Sequence, residues 1–357
     1  MQKSVMWNYI YEEETTLNTL LESSQVAEFC MKYELSELKR VIFVASGSSL
    51  NIAKTSAGLF ETVAEVEVKL MTPYHLLGNC SNMCGDKDNS LVIAVSQTGT
   101  SSSTIRAIKA VKELGYTVLT ITERRDTPVH TLGDYYMNFL CGLEDCNAKT
   151  KGYSNSLVLL WLIALEIGKV KKSLPDSAYE AYRKEIVDSI KDIPVTIERT
   201  LEWLNAHRDW STIQHFLVVG YGKNYGTAEE GMLKLMETLC IPASVSDVGE
   251  FSHGIHRVIS KNSNVITILT EECGYEDMVK INEYLSEVSG RLLVIDASSH
   301  SLADGKGIKV EYRPFTASAL NIAVVFQLLA VYLPETIGRD PNAPSNEELI
   351  NALAVRV

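Results

Sequence analysis

Positive charge is what this chain is short of. Only 33 lysines and arginines stand against 45 aspartates and glutamates in 357 residues, a formal net charge of −12. Such a surface repels phosphodiester backbones and anionic lipid, so neither nucleic acid nor a membrane is expected as a partner. Met1-Gln2-Lys3-Ser4 leads into a polar segment without a signal-peptide core, and no membrane-spanning run is read from the sequence. The expected location is the cytoplasm. Cysteines are scattered at Cys30, Cys80, Cys84, Cys141, Cys146, Cys240 and Cys273. Neither close pair, Cys80/Cys84 or Cys141/Cys146, finds a second Cys or His pair to complete a tetrahedral set. Reduced thiols and no bound metal are expected.

Two nucleotide-binding signatures are absent as well. Hydroxyl-rich loops occur at Ala45-Ser46-Gly47-Ser48-Ser49 and at Ser96-Gln97-Thr98-Gly99-Thr100-Ser101-Ser102-Ser103-Thr104, but neither contains the lysine of a Walker loop. Gly220-Tyr221-Gly222 continues into Lys223-Asn224-Tyr225 and lacks the third glycine of a dinucleotide fingerprint, which argues against an oxidoreductase.

What is present is a repeated junction. Val41-Ile42-Phe43-Val44 precedes the first hydroxyl loop and Leu91-Val92-Ile93-Ala94-Val95 the second; helical periodicity follows each. Backbone amides, helix dipoles and short hydroxyls then converge on one small anion. Predicted strands at 41–45, 66–70, 91–95, 117–122 and near 135–140 alternate with predicted helices at 49–63, 102–114 and 154–168. This is the pattern of a parallel sheet covered on both faces. Residues 170–206 are charged and helical. The pattern then restarts, with strands at 216–219, 264–269 and 291–296 and helices at 226–239, 275–288 and 316–332. Ser46 to Ser96 spans fifty residues and so does Gly220 to Thr270, which suggests duplication of one doubly wound unit. The expected organisation is N-terminal helices 1–30, a first α/β/α domain 31–170, a helical connection 171–206, a second domain 207–340 and a tail 341–357. Asp340-Pro341-Asn342-Ala343-Pro344 reads as a rigid turn in that tail.

In the second half, Glu230, Lys234 and Glu237 stand at i, i+4 and i+7 of the predicted helix. A stripe of this kind is commonly a solvated salt-bridge ladder. Here Leu233, Leu235 and Met236 make the helix apolar around much of its circumference, and a buried carboxylate requires a partner or a purpose. Further on comes Gly249-Glu250-Phe251-Ser252-His253-Gly254, a histidine between glycines. A carboxylate and an imidazole beside a phosphate site are the groups that sugar-phosphate proton transfer requires. Trp7, Trp161, Trp203 and Trp210 read as packing residues. Tyr153 and Tyr221 lie at strand–helix junctions where a sugar ring has room to stack.

These motifs together resemble the tandem sugar-isomerase (SIS) domain family, from about residue 30 to 345. The chain is similar to the isomerase half of glucosamine-6-phosphate synthase and to the fructosamine-6-phosphate deglycases of the same architecture. The resemblance implies two flavodoxin-like α/β/α units with parallel sheets. It implies that Ser48, Ser49, Ser96, Gln97, Thr98 and Ser101 bind the substrate phosphate, with Gly47, Lys149, Thr150 and Glu230 lining the sugar. Glu237 would shuttle the carbon proton, Lys234 would polarise substrate oxygens, and His253 would assist ring opening, in its own subunit or a neighbouring one. A homodimer or larger homo-oligomer and no cofactor are implied.

Two departures bear on mechanism. No amidotransferase segment precedes the first helices, which argues against a complete synthase. In relatives the tail closes over the sugar, and synthase tails carry an Ala-Lys pair, whereas this chain reads Asn351-Ala352-Leu353-Ala354-Val355-Arg356-Val357. The leading expectation is therefore cleavage of a 6-phosphorylated sugar–amine adduct to hexose 6-phosphate and free amine. The alternative is aldose–ketose or amino-sugar phosphate isomerisation, including deamination of glucosamine 6-phosphate, which uses the same chemistry. A non-catalytic phosphosugar sensor is a third reading, one that would not require Glu237 and His253.

Overall fold

The computed structural model describes residues 3–80, 87–300, 307–315 and 317–357. Three helices open the chain, α1 (Met6–Tyr11), α2 (Glu13–Glu22) and α3 (Gln25–Lys32). The first α/β run is β1 (Arg40–Val44), α4 (Ser48–Val63), β2 (Glu67–Met71), α5 (Pro73–Asn79), β3 (Ser90–Val95), α6 (Ser102–Glu113), β4 (Thr117–Thr122), α7 (Pro128–Leu132), β5 (Tyr135–Asn138) and α8 (Lys151–Lys171). After α9 (Asp176–Lys191) and α10 (Ile193–Ala206) comes a second run. It comprises β6 (Phe216–Gly220), α11 (Tyr225–Leu239), β7 (Ala243–Asp247), α12 (Val248–Phe251), β8 (Asn264–Leu269), α13 (Tyr275–Val288), β9 (Arg291–Asp296), β10 (Gly307–Lys309) and α14 (Ser318–Thr336). The short helix α15 (Glu347–Ala352) follows.

The chain divides into two compact units. One comprises Thr15–Glu144, Lys151–Arg183 and Pro344–Val357; the other comprises the residues up to Glu14, Asp145–Thr150 and Lys184–Ala343. Each is built on a five-stranded sheet, ordered β2-β1-β3-β4-β5 in the first unit and β7-β6-β8-β9-β10 in the second. Every pairing is parallel. In both, the second strand of the run lies on one side of the first and the third on the other, the doubly wound order whose reversal opens a crevice at the strands' carboxyl ends.

Apolar runs make these sheets. All six residues of β3 and all six of β8 are buried, as expected of strands covered on both faces. In the first unit, Ile42, Val44, Val92, Ala94 and Val118 pack against Ile105, Ile108 and Val111 of α6. In the second, Leu217, Val219, Val265 and Val294 pack against Met278 and Leu285 of α13. Helices α8 and α14 are long and apolar enough to cross a membrane by composition, contrary to the sequence expectation of no such run. Most of each is buried within the protein, so they are core helices.

Several elements differ from expectation at their edges. The N-terminal segment expected to be helical holds three helices. The helix expected at 316–332 is Ser318–Thr336, and residue 316 lies outside the described residues. The stretch 170–206 is more than a linker, because Ile193, Ile197, Trp203 and Leu204 of α10 are buried and Thr196 Oγ1 donates to Asn321 Oδ1 of α14 at 2.8 Å. The turn expected at Asp340–Pro344 forms, with Ala343 N–H donating to the Asp340 carbonyl at 3.1 Å.

Candidate active site

In the first unit both hydroxyl-rich loops leave adjacent strands at the topological switch point, since Val44 of β1 lies opposite Ala94 of β3. Gly47 turns the first loop at φ 57°, and the half-buried Ser48 and Ser49 form the first turn of α4. In the second loop Ser96 is buried and donates its N–H to the Ile121 carbonyl at 3.0 Å. Gly99 holds φ +68°, and a Cβ there would fall 2.1 Å from Thr127 Oγ1. Ser101 caps α6, its Oγ accepting from Thr104 N–H at 3.5 Å and from Thr104 Oγ1 at 3.0 Å. Two helix N-termini, each equivalent to about half a positive charge, thus start side by side in a bed of hydroxyls. The arrangement suits a phosphate.

Gln97 is engaged with the protein. Its Nε2 donates to Glu144 Oε2 at 2.8 Å, and the same oxygen accepts Gly152 N–H at 2.9 Å at the start of α8. Beside it, Glu123 accepts the N–H groups of Cys141 at 3.2 Å and Gly142 at 2.8 Å, and burial pushes its carboxyl above the usual range. Sequence reasoning missed Glu123 and Glu144 as supports of this edge. The available signal was the placement of Glu123 just past the carboxyl end of β4.

In the second unit, α11 carries the carboxylate stripe. Lys234 Nζ sits 2.7 Å from Glu230 Oε1, and both side chains are fully buried. The same ammonium donates to the Lys149 carbonyl, while Gln327 Nε2 of α14 donates to the Thr150 carbonyl at 3.4 Å. Lys149 turns its own ammonium to the Cys146 carbonyl at 2.8 Å. One turn beyond Lys234, Glu237 is half-buried. Burial pushes its pKa from 4.5 up to about 7, the Lys234 cation pulls it down, Glu230 pushes it up, and Lys149 pulls it down. A carboxylate poised near neutrality is matched to moving protons at physiological pH. Burial of Lys234 confines its influence on any reacting atom to its field and to its neighbours on α11.

His253 is carried by a different segment from α11. It lies just after α12, exposed, with its backbone N–H on the Glu250 carbonyl at 3.0 Å. No side-chain partner holds its ring among the described residues. Tyr221 is not free to stack on a sugar: it is buried, and its hydroxyl bonds both the carbonyl and the N–H of Thr270, the latter at 3.1 Å. Tyr153 is likewise buried in α8. The four tryptophans pack, Trp7 with its Nε1 on Glu335 Oε2 at 2.9 Å. Among the described residues no three His, Cys, Asp or Glu side chains converge on a metal position, and Cys84 lies outside those residues.

Comparison with known proteins adds to this geometry. The family model described as "SIS domain" matches residues 34–166 and again 211–333. The glutamine–fructose-6-phosphate aminotransferase (isomerizing) of Thermococcus kodakarensis is 26% identical over 346 residues, covering 96% of this chain and 56% of its own length. The chain thus spans about half the length of the curated relatives it matches. Among solved structures, one from Clostridium difficile 630, provisionally described as a phosphosugar isomerase, superposes with TM-score 0.90 at 23% identity, covering 99% of both chains. The C-terminal domain of glucosamine-fructose-6-phosphate aminotransferase from Francisella tularensis gives 0.85 at 21% identity, covering 96% of this chain and 99% of its own.

Proposed function

Because the chain belongs to the SIS domain family, with two copies of that domain, we propose that it is an enzyme moving protons on a 6-phosphorylated sugar. The observation that carries this reading is Glu237, raised towards neutrality on a helix that also holds the buried Glu230–Lys234 pair. In this reading the hydroxyl loops of the first unit are the phosphate anchor, and Glu237 is the group that moves the carbon-bound proton.

The substrate we propose is a 6-phosphorylated sugar–amine adduct of the ketosamine type, with an amino acid as the amine. His253 assists opening of the ring. Glu237 takes a proton from C1, leaving an enediolamine. Return of that proton to C2 gives an aldimine, and water then cleaves it to an aldohexose 6-phosphate and the free amine. No step requires a metal or organic cofactor. The reading includes a homodimer or larger homo-oligomer, to which the exposed His253 loop is suited, and residence in the cytoplasm.

A second reading rests on the isomerising activity for which the curated relatives are named. Glu237 would then transfer the same proton between C1 and C2 of an unadducted or amino sugar phosphate, and a hydrolytic branch would release ammonia. One panel separates the two. The enzyme is incubated with fructose–amino-acid 6-phosphates, glucose–amino-acid 6-phosphates, glucosamine 6-phosphate and fructose 6-phosphate, and released amine and isomerised sugar are quantified. Amino-acid release from the adducts supports the deglycase. Turnover confined to glucosamine 6-phosphate or fructose 6-phosphate replaces it with the second reading. Binding without turnover of any member makes the protein a sensor.

A further inference from the structure

The phosphate cradle of the first unit contains no cation. Residues 46–49 and 96–104 include neither lysine nor arginine. The first basic residue on α6, Arg106, gives its Nη2 to Tyr74 OH at 2.9 Å and stacks its guanidinium 5.3 Å from that ring. Neutral hydroxyls and amides alone would face a ligand that carries close to two negative charges at neutral pH.

A distant part of the chain brings the missing charge. Residues 344–357 belong to this same unit, and beyond α15 the backbone pairs with the second phosphate loop. Val357 N–H donates to the Thr100 carbonyl at 3.0 Å and Ser102 N–H donates to the Val355 carbonyl at 3.1 Å. The resulting antiparallel bridge sets Arg356 opposite Ser101. Because the hydrogen bonds flank this pair and do not join it, it is the narrow type of antiparallel pair. Its Cα atoms are about 4.5 Å apart and its side chains lie close together on one face. Ser101 directs its hydroxyl to the N-terminus of α6, where it accepts from Thr104. The Arg356 side chain rises on that face and is exposed, and no described residue forms an ion pair with it.

We propose that Arg356 is the phosphate-recognising cation of this site, a specificity residue delivered to the α6 N-terminus by pairing of residues 355–357 with the loop. The inference rests on the phosphate-anchor reading given above and deepens it. A guanidinium offers two parallel N–H donors to a phosphate, which distinguishes a phosphorylated sugar from its free counterpart.

The anchoring bond can be removed without touching the arginine. Ser102 occupies the first position of α6, where proline is well tolerated, and Ser101 before it is extended at φ −62°, ψ 112°, as a residue preceding proline prefers. A Ser102→Pro substitution therefore deletes the donor to Val355 and keeps the helix.

The test uses the full chain and three probes, inorganic phosphate, glucose 6-phosphate and glucose, titrated calorimetrically. Arg356→Gln is expected to weaken both phosphate-bearing probes roughly tenfold and leave glucose unchanged, with Arg356→Lys recovering part of the loss. Ser102→Pro is expected to lose as much, and the double variant no more. Phosphate binding by Arg356→Gln within twofold of the parent, while Ser101→Ala loses it, overturns this inference and leaves the anchor standing. Failure of the unaltered protein to bind either phosphate probe overturns both.

Discussion

At the scale of single residues, Glu237 sets two opposed pH dependences. Its folded pKa of about 7 lies above the ordinary 4.5, so the folded chain holds this proton more tightly than the unfolded chain does. Its contribution to stability is present below pH 4.5 and is lost as pH rises through the window to about 7. As a base, however, it works only when ionised. We expect the acid limb of kcat/KM to bend near pH 7. Glu237→Gln should lower kcat by about 10²–10⁴-fold, and it should melt higher than the parent at pH 8 by an amount worth ~1–3 kcal/mol, with little difference at pH 4.5. Thermal melts at the two pH values together with a pH–rate profile check this. A variant less stable at pH 8 would show that burial is not what raises the group. Lys234 behaves differently. Removing it breaks the buried Glu230–Lys234 pair, so Lys234→Ala should cost about 3–5 kcal/mol, and pairing it with Glu230→Gln should return part of that. Equal destabilisation in the single and double variants would contradict the buried pair. The stripe Glu230–Lys234–Glu237 was legible from helical spacing. Its surroundings were not, because the carbonyl that receives Lys234 belongs to Lys149 and hydrogen bonds across 85 residues leave no periodic trace.

At the scale of elements, the proposed phosphate recognition rests on the loop–helix junctions, and Gly99 is their strictest position. Its φ of +68°, and the 2.1 Å that would separate an added methyl carbon from Thr127 Oγ1, leave no room for a side chain. Gly99→Ala should destabilise the first unit by about 1–3 kcal/mol and weaken glucose 6-phosphate binding more than glucose binding. Calorimetric titration and a thermal melt measure both. Unchanged affinity would mean that the loop does not form the anion site. Gly231 is the equivalent in the second unit, because a Cβ there would lie 2.5 Å from the Phe326 ring of α14 and force α11 away. Interior strands were readable because burial on both faces writes largely apolar runs such as 91–95 and, Thr267 apart, 265–269. The edge strands β2 and β5 were also expected, at 66–70 and near 135–140, but β7, a polar Ala-Ser-Val-Ser-Asp, and β10, of three residues, carry no strong pattern and were missed. Helices α5 and α7 were also missed, although Thr72-Pro73 and Thr127-Pro128 place proline at their first turns.

At the scale of the whole molecule, one strand order occurs twice, and that is what the fifty-residue metre of the sequence reflected. The two copies have diverged in what their carboxyl edges carry. The first unit keeps serines, threonines and helix N-termini at its switch point, and the second keeps a helix of paired and poised charges. This division was visible in composition alone, since hydroxyls cluster in one half and the Glu/Lys stripe in the other. Arg356 was not assignable, because only the folded backbone returns residues 355–357 to a loop some 250 positions earlier. For an acidic molecule of net charge −12, the proposed phosphosugar would have to be bound by local groups of this kind against the overall field.

The central claim is that Glu237 moves a carbon-bound proton of a phosphosugar, and solvent exchange reads that step without knowledge of the leaving amine. Fructose 6-phosphate and a fructose–amino-acid 6-phosphate are incubated with the protein in D2O and followed by proton NMR at C1. The account predicts catalysed loss of the C1 proton signal in at least one of the two, slowed at least about a hundredfold by Glu237→Gln. Exchange that proceeds equally fast in the folded Glu237→Gln variant, or no exchange with either substrate in the parent enzyme, would contradict it.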